Sequence, residues 1–482
     1  MFVLDRIREF AKASPDALAL IDNGRPCTYA ELALGVAAWR QAFLAQGLAP
    51  GGVVVAAMRD VGMGWRANLA LRSLGHTTLA LRLNQRVDGL ERLDVRAVVT
   101  LAGEAAPVGV AEIAAPRLTI DPTTLPTATD LPASDIVPGG HIFLTSGTTG
   151  RARMVPFDAA REAGAIEGAR QSLEGYLETH DGPVRSHVFD FGLESGVGYG
   201  FGVGLWSQGV CMVVHEGVGT HASLDTPGLT HAVVTPALLE GLMAAPEGAF
   251  ARNDGLILSI VGGALSEALF DKVKARLTDN IRTSVGSTEG GGSTRTDVKT
   301  VEDLHWHKLT ETSTLEVVGE DDQPLPPGQV GQVRVRQVEG VGAYLGDVDA
   351  SAASFRDGYF YPGDLAVMDG QGRIRILGRI GDALNLRGDK LPAAPIEEAM
   401  QQALGCQCVC FSAHDASNAD ELHVVLETAS PPDEARLTQA ARAHGSGFPT
   451  ARFHFVPQFP RTGTGKVERY RLREMIAAPR PA

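Results

Sequence analysis

The chain has 482 residues, 44% of them hydrophobic, enough to bury a large core and more than one ordinary domain holds. Its 43 basic against 57 acidic residues give a net charge of −14, which argues against a nucleic-acid or anionic-membrane surface as the main partner and leaves small ligands. Five cysteines do not make a disulfide framework.

In chain order, the opening "MFVLDRIREFAKASPDAL" breaks its apolar residues with charge, so it reads neither as a secretory leader nor as a membrane span, and a cytoplasmic protein is expected. "TYAELALGVAAWRQAFLAQG" (28–47) and "SEALFDKVKARLTDN" (266–280) are amphipathic helices. They alternate with β-rich apolar runs, "GGVVVAAM" (51–58), "VRAVVTLAG" (95–103), "THAVVTP" (230–236) and "LILSIVGG" (256–263). The alternation predicts an α/β body with largely parallel sheets under helical cover. "TTLPTATDLPAS" (123–134) is a surface connection. His305 and His307 in "LHWHKL" are expected on one strand face, as core rather than metal ligands. Beyond about 310 the texture turns antiparallel: "STLEVVGEDDQPLPPGQVGQVRVRQ" (313–337) reads as strand, turn and strand, and "YFYPGDLAVMDGQGRIRILGRIGDAL" (359–384) as hairpins. The remainder has its own helix, "PIEEAMQQAL" (395–404), two strands and a closing helix. In the first of those strands Cys406, Cys408 and Cys410 alternate, as buried small hydrophobes would.

Five segments carry chemistry. The first, "LTSGTTGRARMV" (144–155), sets glycines and hydroxyls after an apolar run, a backbone able to aim successive N–H groups at a phosphate. It is not a Walker loop: the Gly465–Lys466 pair has Pro460 and Val467 where that motif needs Gly and Ser or Thr. "GVGYGFGVG" (196–204) likewise fails the dinucleotide fingerprint in every register. "SVGSTEGGG" (284–292) offers the Thr288 hydroxyl and the Glu289 carboxylate for a phosphate and its Mg²⁺. In "YPGDL" (361–365) Asp364 is suited to accept from a ribose diol. "LGRIGDALNLRGDKL" (377–391) follows, and "PRTGTGKVERYRL" (460–472) places Lys466 after a Gly/Thr run, as a cation delivered to a reaction would be.

In this order, over essentially the whole chain, the segments resemble the superfamily of AMP-forming acyl-CoA synthetases, amino-acid adenylation domains and luciferases. The resemblance implies a large N-terminal domain (1–378) of mixed, largely parallel sheets with helices plus a distorted β-barrel region, and a small mobile α+β C-terminal domain (379–482). It implies ATP and Mg²⁺ as cofactors, with Thr145, Ser146, Gly147, Thr148, Thr149 and Gly150 around the β- and γ-phosphates and Arg153 where the family usually has Lys. Thr288 would contact the α-phosphate, Glu289 would bind Mg²⁺, and Ser287 would lie at the nucleotide beside them. Gly262, Gly263 and Ala264 would flank adenine and the acyl pocket, Asp364 and Arg379 would bind ribose, and Lys466 would bridge the carboxylate and the α-phosphate. Gly381 falls at the family's hinge, Val285 where an aromatic residue usually covers adenine, and Asn385 and Gly388 along the thiol route; Lys390 is read as a surface lysine.

The implied reaction is activation of a small carboxylic acid as its adenylate, then transfer to CoA or a carrier-protein thiol. Two registers compete at the acyl pocket. If "FDFG" matches the adenylation domains, Asp190 pairs with a substrate ammonium and the acid is an amino acid; separately, the enzyme reads alternatively as an amide-forming ligase using the same adenylate. If "VGYGFGVG" matches the aryl-CoA ligases, Tyr199 and Phe201 flank a flat or short acyl group. A member without catalysis, serving as a scaffold, is the third reading, and the presence of Thr288, Glu289, Asp364, Arg379 and Lys466 together speaks against it.

Overall fold

Apolar runs without alternation become strands buried on both faces: all five residues of Val53–Ala57 are buried. In the computed structural model the described residues are all except 1, 49, 84–88, 108–109, 111–113, 134–135, 147–151, 190, 216–219, 337–340, 387–388, 415–419, 444–450, 462–466 and 478–482. The chain forms two units, one of Met1–Leu304 with Gln337–Phe360 and one of His305–Arg336 with Tyr361–Ala482.

The first unit contains the expected α/β body as two sheets. One has six strands in the order Arg117–Ile120, Val95–Leu101, Val53–Ala57, Thr77–Leu81, His141–Ser146 and Ala152–Phe157, parallel except for the last pair. The other has eight, in the order Thr296–Val298, Ile281–Ser284, Ile257–Val261, Leu229–Val234, Arg185–Val188, Cys211–Val214, Leu18–Asp22 and Arg25–Thr28, antiparallel only at its two edges. A shared core joins them, with Trp39, Trp65, Trp206 and Tyr199 fully buried among the helices Tyr29–Ala45, Val61–Ser73 and Gly196–Ser207. The first of these helices starts at a capping box in which Thr28 and Glu31 satisfy each other's backbone N–H groups.

The second unit holds antiparallel strands where the barrel-like region was expected: His307–Lys308, Arg373–Arg379, Asp364–Met368, Val330–Arg336 and Leu315–Val318 pair in that order. His305 ends the short helix Glu302–His305 and so does not share a strand face with His307. Beyond them Ala393–Leu404 packs on a sheet of Cys408–His414, Asp420–Glu427 and Ala451–Val456. Cys408 and Cys410 lie in that core with Cys406 at its margin.

Candidate nucleotide site

The phosphate-loop segment is an antiparallel hairpin whose strands put Thr145 opposite Arg153. Directly opposed residues share a face, so the hydroxyl and the guanidinium project together. Thr145 meets the turn that follows Ile281–Ser284. There Thr145 Oγ1 donates to Glu289 Oε1 at 3.4 Å, and Tyr344 donates its hydroxyl to the same oxygen at 2.9 Å. Arg153 Nη1 in turn donates to the Tyr344 oxygen at 3.2 Å, with its Cζ 4.9 Å from the centre of that ring. Glu289 is buried at 9% exposure. A carboxylate among hydroxyls suits a hard cation, and no cluster of three metal-ligating side chains occurs among the described residues. One carboxylate among hydroxyls fits a cation that takes its remaining oxygens from a ligand's phosphates and from water.

Ser287 closes the turn rather than facing outward: its Oγ accepts from Gly290 N at 2.9 Å, which presents Thr288 and Glu289 at the apex. Thr288 lies against the start of Gly196–Ser207, where a Cβ on Gly196 would sit 2.9 Å from its Cγ2. The carbonyl of Thr288 accepts from Arg161 Nη2, and Arg161 Nη1 donates to Pro156 O at 3.2 Å, tying the turn to the end of the hairpin. Burial pulls the pKa of Arg161 down, while Glu289 and Asp158 hold it up. Burial first, then Glu289, push the Tyr344 phenol up, so it stays a neutral donor.

Gly262, Gly263 and Ala264 follow Ile257–Val261, with Gly262 left-handed at φ +80° and Gly263 close against Pro236. Thr235 and Val285 directly follow the neighbouring strands, so these residues line the carboxyl ends of three parallel strands, the edge at which open α/β sheets bind ligands. In the second unit Asp364 and Arg379 are cross-strand partners, with Nε 2.8 Å from Oδ1.

The expectation for Tyr199 and Phe201 is corrected. Both lie on the helix Gly196–Ser207, where residues two apart point about 200° from one another and cannot flank one group. Tyr199 is fully buried, stacked on His141 at 4.1 Å and Trp65 at 4.9 Å, accepting from Arg72 Nη1 at 2.7 Å and donating to Asn68 Oδ1 at 2.9 Å. Phe201 is on the other side, 37% exposed. Gly147, Thr148, Thr149, Gly150, Asp190, Gly388 and Lys466 lie outside the described residues, as does the side chain of Ser146.

The sequence reading missed Tyr344 and Arg161. Nothing local marks Tyr344, which lies 55 residues from Glu289. Arg161 did leave a signal, a cation in the first turn of Ala159–Thr179, where the helix dipole disfavours it.

A family model described as AMP-binding enzyme matches residues 7–345. A fatty acid–[acyl-carrier-protein] ligase, ScoC, of Streptomyces coeruleorubidus is 27% identical over 374 residues, 72% of this chain and 69% of that protein. In seven further curated relatives the match spans between 6% and 55% of their length. Among solved structures, the amide bond synthetase McbA from Marinactinospora thermotolerans superposes with a TM-score of 0.83 at 18% identity, over 98% of this chain and 99% of that one. The o-succinylbenzoate CoA synthetase MenE from Bacillus subtilis, in complex with its acyl-adenylate intermediate, gives 0.82 at 19%, over 99% and 98%.

Proposed function

This chain belongs to the AMP-binding enzyme family, and from that premise we propose that it uses ATP and Mg²⁺ to activate a small carboxylic acid and passes the acyl group to a thiol, of CoA or of a phosphopantetheinyl carrier. The observation that carries the reading is the convergence of Thr145, Arg153 and Glu289 beside Thr288, a carboxylate and a cation with hydroxyls at the mouth of a phosphate-loop hairpin. A carboxylate oxygen attacks the α-phosphorus, the bond to the β-phosphate oxygen breaks, and pyrophosphate leaves. Loop residues 145–150 and Arg153 hold the β- and γ-phosphates, Thr288 the α-phosphate, Asp364 and Arg379 the ribose, and Lys466 the oxygen between acid and phosphorus. Mg²⁺ on Glu289 supplies charge neutralisation for the leaving pyrophosphate. Gly262 to Ala264 border the adenine, and Ser287 serves by fixing the turn. Residues 379–482 are a mobile catalytic domain that turns on the hinge at Gly381, exchanging Lys466 for the thiol route, with 1–378 as the binding domain. No helix among the described residues is long and apolar enough to cross a membrane, and a cytoplasmic site of action is part of the proposal.

The test is a panel of carboxylic and amino acids with Mg·ATP and hydroxylamine, reading pyrophosphate and hydroxamate, followed by CoA or carrier protein for each acid that turns over. An acid that yields its thioester supports the reading. An amino acid as sole substrate would move it to the amino-acid branch with Asp190 as its specificity residue, and amides in place of thioesters would move it to the amide-forming branch. No turnover with any acid would overturn it.

A further inference from the structure

Arg72, Tyr199, Asn68, Thr78 and His141 are buried polar side chains of the first unit that the proposed reaction does not use. A guanidinium can only donate and a carbonyl can only accept, so a chain of hydrogen bonds strung between them has its direction set at both ends. Arg72 Nη1 donates to the Tyr199 oxygen at 2.7 Å, which leaves the phenol to donate to Asn68 Oδ1 at 2.9 Å. The other end of that amide, Nδ2, donates to Thr78 Oγ1 at 2.6 Å, and the Thr78 hydroxyl donates to His141 Nδ1 at 2.7 Å. Asn68 Nδ2 also lies 3.2 Å from Nδ1, so two donors face that nitrogen. His141 Nε2 then donates to Leu193 O at 2.8 Å. Burial keeps the ring neutral, its pKa lowered to about 3, so it carries a single N–H, and its neighbours place that N–H on Nε2.

The carbonyl at the end of the chain belongs to a turn that reaches the nucleotide site. Leu193 O is held by the first residue of the hairpin strand His141–Ser146, and Glu194 O accepts from Leu144 N of the same strand at 3.4 Å. Ser195 caps the helix that follows: its Oγ accepts from Gly198 N at 3.0 Å and donates to Gly192 O at 3.0 Å, which joins the turn to the helix start. Gly196, the first residue of that helix, packs on Thr288, where a Cβ would come to 2.9 Å of Cγ2.

We propose that His141 is a positioning residue, whose Nε2–H holds the Leu193 carbonyl and thereby sets Gly196 against Thr288. This rests on the proposed function above, in which Thr288 meets the α-phosphate. Without the donor the buried carbonyl is left without its partner, the turn gives way, and Thr288 loses the wall that orients it. The hairpin strand stays in its sheet. The loss therefore falls on the rate of adenylate formation and leaves the affinity for Mg·ATP in place.

The experiment compares wild type, His141→Leu, His141→Gln, Thr288→Ala and the double variant His141→Leu with Thr288→Ala. Each is measured by single-turnover adenylate formation, KM for Mg·ATP and a thermal melt, and the tautomer of His141 in wild type is read by nitrogen-15 NMR. His141→Leu is expected to slow adenylation at least about tenfold, with KM for Mg·ATP within about threefold. His141→Gln, which can place an amide N–H where Nε2 stood, is expected to recover most of that rate. In the Thr288→Ala background His141→Leu is expected to have no further effect, because the turn acts through Thr288. The NMR signal is expected to be that of the Nε2–H tautomer. Equal losses in both backgrounds, a glutamine variant no faster than the leucine one, or an Nδ1–H tautomer would overturn the inference and leave the proposed function standing. If His141→Leu does not fold, the glutamine variant and the tautomer decide. Wild type that forms no adenylate with any acid would overturn both.

Discussion

Arg161 occupies the turn of a helix where a positive charge is least welcome, and its two bonds explain why it is there: one guanidinium nitrogen reaches Thr288 O and the other Pro156 O. Lysine cannot span both carbonyls. Arg161→Lys and Arg161→Met should therefore each lower kcat for adenylate formation by at least about tenfold, since misplacing a reacting contact by an ångström costs about that much or more. Single-turnover rates against circular dichroism would separate this from unfolding, and a lysine variant with wild-type kcat would refute the role. Gly196 works through the same threonine. A Cβ there would come to 2.9 Å of Thr288 Cγ2, so Gly196→Ala should displace Thr288 and slow adenylation while pyrophosphate-side binding of ATP persists. At this scale the sequence named Thr145, Arg153, Thr288 and Glu289, and the structure links the first two to Glu289, Thr145 directly and Arg153 through Tyr344. The sequence was illegible at Tyr344, because what matters there is a contact made across 191 residues to Arg153. Ser287 also has a local task the sequence did not announce, since its Oγ accepts from Gly290 N across the turn.

One element was left without a secondary-structure assignment. In one of two registers the glycine-rich run 196–204 put Tyr199 and Phe201 on either side of an acyl group. It is a helix, capped by Ser195, whose glycines allow close approach to bulky neighbours: a Cβ on Gly202 would press to 2.5 Å of the Trp65 ring. Local propensity argues against a helix there, and packing overrides it. The buried face of this helix is wired to the root of the phosphate-loop hairpin. His141 stacks on Tyr199 and contacts Leu193 O through Nε2 at 2.8 Å, while Arg72 joins Tyr199 to Glu162, which accepts from Val3 N. Removing one partner of that ion pair strands the other charge. Glu162→Gln should cost about 3–5 kcal/mol of stability, and Tyr199→Phe about 1–3 kcal/mol, both read by denaturant unfolding. Neither should change which acids are activated. A Tyr199→Phe enzyme of normal stability and altered acid preference would return Tyr199 to the pocket.

For the whole molecule, buried histidines set the behaviour in acid. Burial lowers His141 and His187 to about 3 and His231 and His307 to about 4. His187 has neither ring nitrogen hydrogen-bonded among the described residues and stacks on Phe189 at 3.5 Å. Each is neutral in the fold, while its value in the unfolded chain is about 6.5. Their contribution is therefore complete above about pH 6.5 and is lost as pH falls toward the folded values, by up to about 1.4 kcal/mol per pH unit for each histidine. Unfolding midpoints in denaturant should drop steeply between pH 6 and 4, and His187→Phe should flatten part of that drop. A flat profile over that range would show the buried imidazoles to be hydrated. At this scale the change from parallel to antiparallel texture near residue 310 was readable. The return of 337–360 to the first unit was not, because it depends on the docking of Leu345 on Met154 and of Tyr344 on Glu289 rather than on any local pattern.

That return has a consequence for synthesis. The first unit is discontinuous, interrupted by His305–Arg336, and the segment that carries Tyr344 is its last contribution. A nascent chain makes the Thr288–Glu289 turn 55 residues before it makes the tyrosine that holds Glu289. At about 5–20 residues per second the ribosome leaves an interval of about 3–11 s in which both sheets can form around a nucleotide site that is chemically incomplete. Stalled or truncated chains ending before residue 344 would accordingly be folded in part, open to chaperones at the hairpin, and unable to spend ATP.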